Sequence, residues 1–392
     1  MEDQNSDTEL AYESDVDLNI NDKDEEADNA HDDGDAAAAA PAEGAADPGG
    51  WMAQPSDVVM QDFQQQPGPR HNLDASACPI HFFFLMFPLA LFEVFVTETN
   101  CYAEQCIAQH PNSSWYPTWI EEMRAFLAIQ IFFGIPPRPR LWMYWSEDPR
   151  FHDSYISSIM TIARFKNLSQ YFHCRDTSNA PRRDQPAFDP LFKVRNIVSK
   201  TQETFRAHFQ AQRELSVDEA MVGFKGRLSF KQYMPKKPMK WGIKVWTVSD
   251  ARLGYCLGYD IYTGKASRRD PHRPLGFEVV DNLCQPHYSL GHHVYMDRFF
   301  SSVELAEHLL QNNTYMCSTI VSNRTGLPPV VKRKLKTRGE LVQRQKNNLV
   351  ATSFHDKRTI TLLSSNQLMG TAPDGRPHQL VTTIATWEVW MS

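Results

Sequence analysis

The apolar residues change their period near residue 210, and that change limits the fold of this chain more tightly than any other feature. Upstream they recur at helical spacing, first as Leu91, Phe92, Phe95 and Val96. A second run over 119–133 carries Ile120, Met123, Phe126, Leu127, Ile129 and Ile131, and stops at Gly134 before Pro136 and Pro137. Further helices are expected over 157–172 and 191–209, so that 72–210 reads as mostly α. Downstream the pattern is that of strands: 214–221, then 241–248, then 254–262 after a turn at 249–254. A short apolar strand over 293–296 runs into Asp297, and a helix over 302–310 and a strand over 315–321 follow. Three strands in a meander and then strand, helix, strand is the order expected of an RNase H-like α/β core.

Charge divides the chain in a second way. Residues 1–60 hold 18 Asp and Glu against one Lys, which leaves 39 Lys and Arg against 29 Asp and Glu for the rest, so an acidic tail precedes a basic body. The tail, 1–70, is alanine-rich and poor in aromatic clusters, and is expected to stay disordered because it has too little apolar area to offset the entropy of ordering. A basic body calls for an anionic partner, of which nucleic acid is the commonest. The apolar stretch over 81–96 is interrupted by Pro88 and Glu93 and falls short of the roughly 20 residues a bilayer span needs, so no membrane anchor is expected. Seven scattered cysteines with no CxxC spacing argue for reduced thiols and against structural zinc. Glycine-rich phosphate loops and nucleophile triads are absent from the sequence, and no small-molecule substrate is expected.

Two acids stand out by position. Asp218 lies within the first strand, in SVDEAMVGFKGR, and Asp297 at the carboxyl end of the buried strand VYMD, where α/β sheets place functional groups. Two carboxylates on adjacent strands repel unless a divalent cation sits between them, so the pair is a natural Mg²⁺ or Mn²⁺ site. Glu219 is next in sequence, but strand alternation turns it to the other face and a structural role is expected for it. Lysines and arginines then crowd the segment after Asp218: Lys225, Arg227, Lys231, Lys236, Lys237, Lys240 and Lys244, interleaved with Tyr233 and Trp241. A second run holds Arg324, Lys332, Arg333, Lys334, Lys336, Arg338, Arg344 and Lys346. Cations neutralise phosphates and aromatic faces can stack exposed bases, which makes both runs candidate DNA contacts. The stretch 332–336 is also a candidate nuclear-import signal.

The run SVDEAMVGFKGRLSFKQYMPKKPMKWGIKVW, the following GYDIYTG, YMDRFFSSVELAEHLL and STIVSNRTGLP resemble, in order and spacing, the piggyBac transposase family. Upstream, YWSEDPRFHDSYISSIMTIARFKNLSQYFHCRD and DPLFKVR resemble the helical region of the same family, and the resemblance extends from about residue 80 to residue 366. It implies a cut-and-paste DNA transposase with three aspartates on two divalent metals, of which Asp218 and Asp297 match the first and second. The third, in a Gly-Gly-Val-Asp motif on a helix, has no counterpart in the last 26 residues, where Asp374 sits in a Pro-Asp-Gly turn context.

The domains expected are a disordered acidic tail (1–70), a helical dimerisation and DNA-binding region (71–210), an RNase H-like core (211–321), an inserted basic β-rich subdomain (322–375) and a divergent tail (376–392). Loss of the helix bearing the third acid would uncover apolar sheet surface, with the segment 379–390 as its candidate cover. The expected function is that of a nuclear, homodimeric, transposase-derived protein binding double-stranded DNA, C-terminally truncated and catalytically incomplete. The alternative is an active transposase whose third metal ligand comes from elsewhere.

Overall fold

The computed structural model describes residue 47 and residues 49–111, 114–178, 180–235, 237–264 and 273–391. Most of the acidic tail, Lys236, and the side chains of Trp387 and Trp390 lie outside the described residues.

The helical half is built from α1 (Pro79–Met86), α2 (Leu89–Gln109), α3 (Ile120–Phe132), α4 (Ser154–Ile159), α5 (Ile162–Tyr171) and α6 (Arg195–His208). Leu91, Phe92 and Phe95 on α2 and Met123, Phe126 and Ile129 on α3 form single stripes that meet Phe165 and Leu168 of α5 in one core. Arg164 joins α5 to α3 by a two-pronged bond to Glu122 (2.6 and 2.8 Å), with both side chains almost fully buried. The single helix expected over 157–172 is two, because Asp153 and Thr161 each cap a new start: Asp153 accepts from the Ile156 amide and Thr161 from the Arg164 amide. Among the described residues no single helix is long and apolar enough to cross a membrane.

The second half is one nine-stranded sheet. Its strands are β3 (Glu214–Gly223), β4 (Gln232–Tyr233), β5 (Trp241–Asp250), β6 (Cys256–Ile261), β7 (His293–Met296), β8 (Tyr315–Thr319), β9 (Leu341–Lys346), β10 (Leu349–His355) and β11 (Thr359–Ser364). They lie in the order β4-β5-β3-β7-β8-β11-β10-β9, and β6 takes a further stretch of the β5 edge. The β3–β7 and β7–β8 pairs are parallel and the others antiparallel. A two-residue β1 (Gly68–Pro69) pairs separately with β2 (Phe209–Gln210). Three helices, α7 (Leu275–Cys284), α8 (Val303–Gln311) and α9 (Pro329–Lys332), contribute Phe277, Val280, Leu305, Leu309 and Val331 to the core beneath Leu215, Val217, Val294 and Met316. Helix α7 was not anticipated from the sequence. The last helix, α10 (His378–Met391), lies on the opposite face: Cys317 meets Gln379 and Thr383, and Leu380 packs on Phe354 and Leu362.

Two expectations are corrected. Disorder was expected through residue 70, but the described residues from 47 onward strap the sheet. Trp51 is fully buried and donates from Nε1 to the Gly326 carbonyl (3.0 Å), Met52 bridges to Gln345, and the Gln61 amide donates to the Tyr315 hydroxyl (2.7 Å). Nor do the strands of 322–375 stand apart as a subdomain: β9, β10 and β11 continue the central sheet, joined to it through Leu362 opposite Thr319.

Candidate functional site

Strand β3 has two unlike halves. Residues 214–217 are buried between β5 and β7, whereas from Asp218 onward exposure rises. The cause is the short neighbour: β7 ends at Met296, which pairs with Val217, so Asp218 and Asp297 are the first residues past the last parallel pair on two adjacent strands. Neighbouring strands run about 4.8 Å apart, and alternation sends both carboxylates to the face of Ser216 and Tyr295. The two sequence-predicted acids are therefore brought together.

Local hydrogen bonds hold each one. Asp218 Oδ1 accepts from the Glu219 amide (2.7 Å). Asp297 Oδ1 accepts from the Phe299 amide (2.8 Å), and the Ser301 hydroxyl donates to the Asp297 carbonyl (2.9 Å), which turns the chain sharply toward α8. Burial pushes the Asp218 carboxyl above the usual carboxylate range, and the charge of Asp297 adds to the shift. Burial also raises Asp297, with Glu219 adding to it. A fully ionised pair is thus disfavoured here unless positive charge arrives, and a divalent cation is the species that supplies it. Two carboxylates with water and phosphate oxygens in the remaining positions suit Mg²⁺, which is commonly held in that way. Among the described residues no group of three His, Cys, Asp or Glu side chains gathers to hold an ion. Asp374 is exposed and bonded to Arg376 (2.8 Å).

Glu219 lies on the other face, as alternation requires, and is held between Lys244 (3.1 Å) and Lys237 (3.3 Å). This corrects the assignment of Lys244 as a DNA contact. It is only 7% exposed, with its ammonium over the Phe299 ring (5.2 Å from the centroid), so it braces Glu219 and the turn after Asp297 and does not face solvent. Lys237 is half-buried in the same pairing, while Lys225, Arg227 and Lys240 are exposed and Lys231 is half-buried beside Trp241. In the second run Lys332, Arg333, Lys334 and Lys336 are exposed. Three others are engaged in ion pairs: Arg344 with Asp47 (2.8 Å), Lys346 with Glu307 (2.9 Å) and Arg338 with Asp356 (3.1 Å).

Arg324 has a role that its membership in a basic run concealed. Its guanidinium donates to the Phe299 carbonyl (3.2 Å) and reaches the Arg298 carbonyl (3.5 Å), clamping the turn that carries Asp297. Gly276, at the start of α7, supports the same turn by close approach, since a Cβ there would lie 2.7 Å from the Phe299 carbonyl oxygen. No local sequence signal marks either contact, because both join segments far apart in the chain.

Comparison with known proteins bears on the family of the chain and on its fold. The family model described as Transposase IS4 matches residues 78–374. The chain is similar to human PiggyBac transposable element-derived protein 2, 26% identical over 328 residues that cover 81% of this chain and 51% of the relative. It is also similar to human PiggyBac transposable element-derived protein 5, 22% identical over 334 residues covering 81% of this chain and 62% of that protein. It thus spans about half the length of the first of these curated relatives. Among solved structures, the cryo-EM structure of a piggyBac transposase synaptic complex with hairpin DNA superposes with a TM-score of 0.73 at 25% identity, covering 83% of this chain and 69% of that one.

Proposed function

Because the chain belongs to the piggyBac-type transposase family, we propose that it is a transposase-derived protein that handles double-stranded DNA, with Asp218 and Asp297 as its metal-binding carboxylates. The observation that carries this reading is the register of β3 on β7, which sets the two acids side by side at the last parallel pair. Mg²⁺ or Mn²⁺ held there would supply Lewis acidity at a phosphodiester. The chain's own residues do the remainder. Arg324 and Gly276 fix the turn of Asp297, the pairing of Glu219 with Lys244 ties β3 to β5 just past Asp218, and Lys225, Arg227, Lys240, Lys332, Arg333 and Lys334 meet phosphates.

Among the described residues no third His, Cys, Asp or Glu gathers with these two acids, so in this reading these residues bind DNA without cleaving it unless a third ligand arrives from outside them. Homodimerisation through the helical region 71–210 and a nuclear location, where genomic DNA is the partner, complete the reading; the exposed cations Lys332, Arg333, Lys334 and Lys336 support the second.

Fluorescence anisotropy with a DNA duplex tests the binding claim. Affinity is expected to fall steeply between 50 and 200 mM salt, by about 10³-fold if six phosphates are neutralised. Absence of binding at low salt would remove the DNA reading. A Mg²⁺-dependent nicking assay separates this reading from the alternative of an active transposase: signal in the native chain that vanishes in Asp218→Ala establishes cleavage, and equal signal in both dismisses it.

A further inference from the structure

Past Asp218 the sheet narrows to a ribbon. With β7 gone, residues 219–223 of β3 have β5 as their ladder partner, and the ribbon ends where β4 lies on the edge of β5, with Tyr233 opposite Trp241. The two rings meet at 4.7 Å between centroids, tilted by 40°, and each remains exposed, at 43% for Tyr233 and 36% for Trp241. Val222 (54%), which alternation places on the same face of the strand pair through its partner Ile243, extends the apolar surface. Such a patch at the tip of a ribbon is unusual for a surface that nothing covers.

Its chemical setting selects one occupant. Lys231 sits over the Trp241 ring at 5.3 Å and is fixed by donation to the Gly226 carbonyl (3.1 Å). Lys225, Arg227 and Lys240 are exposed on the same ribbon, and the sequence holds no acid between Glu219 and Asp250. A protein partner would have to bring a dense acidic surface and an apolar one together, whereas a nucleic acid carries phosphates and flat apolar bases on a single strand. We propose that the Tyr233–Trp241 pair is a stacking platform for unpaired bases of DNA whose phosphates are held by the surrounding cations. Each ring offers a π-face that any base can cover, so recognition is of unpairedness and not of sequence. Counting from Thr247, opposite Asp218, to Trp241 at about 3.4 Å per residue sets the platform roughly 20 Å from the carboxylate pair. That is about six nucleotides at the 3.4 Å spacing along one strand. The ribbon can therefore hold a splayed end while duplex lies across the acids. This inference rests on the DNA reading above and adds to it a preference for DNA with open bases.

The test compares two oligonucleotides of equal charge, a blunt duplex and one ending in unpaired bases, by anisotropy at fixed salt. Native protein is expected to bind the open-ended DNA about tenfold more tightly, the discrimination supplied by one stacked base. Trp241→Ala and Tyr233→Ala should lose that preference and retain duplex affinity, and Trp241→Phe should retain both. Circular dichroism and melting verify that the variants fold, and the Phe variant reports on the ring even where the Ala variant does not fold. Equal loss of affinity for both DNAs in Trp241→Ala, or no preference in native protein, overturns the platform and leaves the DNA reading intact. No binding of either DNA at low salt overturns the reading beneath it. Oligomers that dissociate in Trp241→Ala, with the preference for open ends unaltered, would make the patch an interface between copies and would also overturn the proposal.

Discussion

The inner and outer halves of β3 share one backbone and one strand partner, yet they are held together by different forces. Inner residues such as Leu215 and Val217 are almost fully buried between two ladders and over α7 and α8. Outer residues such as Val222 are more exposed, and across the ladder Glu219 faces Trp246 and Met221 faces Lys244. The difference follows from the length of β7, four residues against ten for β3. A short neighbour leaves a long strand with one supported and one projecting segment, and the carboxylate pair stands at the join.

The largest effect that could break this contrast is on stability. Leu215→Ala should cost about 3 kcal/mol through the transfer and cavity terms, while Val222→Ala should change stability by less than about 0.5 kcal/mol. Urea unfolding of the two variants checks the ratio, and similar costs would erase the distinction between the halves.

Acid should also destabilise the inner half. Opposite Glu214 on β7, His293 is held down to about 4, chiefly by burial, with Arg213 and His292 pushing the same way and Glu214 opposing. Its folded value lies below the unfolded one, so the unfolded chain binds more protons between them, and stability is lost as pH falls from about 6.5 toward 4. His293→Gln should flatten that acid limb by roughly 2–3 kcal/mol at pH 4. An unaltered limb would place the acid sensitivity elsewhere, for example at His287, which burial brings to about 3.

Gly276→Ala strikes the join itself. The added methyl meets the backbone of Phe299 and Phe300, and about 2 kcal/mol of destabilisation is expected, with weaker divalent-cation binding. Binding that survives the substitution would show that the turn tolerates displacement. Smallest of the four is Arg324→Met, expected at about 1 kcal/mol from the lost bond to the Phe299 carbonyl, read as a lower melting temperature.

What could be read from the sequence follows the same division. The strands β3, β5 and β7 were legible because their apolar residues alternate or run unbroken, and Asp297 was placed at its strand end to the residue. Helix α8 was legible through Ser302, whose hydroxyl accepts from the Leu305 amide as an N-cap. The break between α4 and α5 was also signalled, by Thr161, but a continuous apolar pattern masked it. Other features depend on distant partners and had no local signature. Trp51 is a lone aromatic in an acidic, polar stretch, and only Gly326 and the sheet core show why it is buried. Lys244 reads as one more surface lysine until Glu219 and Phe299 are seen to enclose it. Continuation of the sheet through β9, β10 and β11 is likewise a matter of register, which alternation within each strand does not specify.

The pairing of Asp218 with Asp297 as a cation site is tested most directly by Mn²⁺-dependent thermal stability at neutral pH. A cation bound by the folded chain alone raises its stability by about 2.7 kcal/mol at a hundred times its dissociation constant. The native chain should melt at a higher temperature with Mn²⁺, and Asp218→Asn and Asp297→Asn should each lose the shift. An equal Mn²⁺ shift in all three proteins, or none in the native chain, would contradict the account.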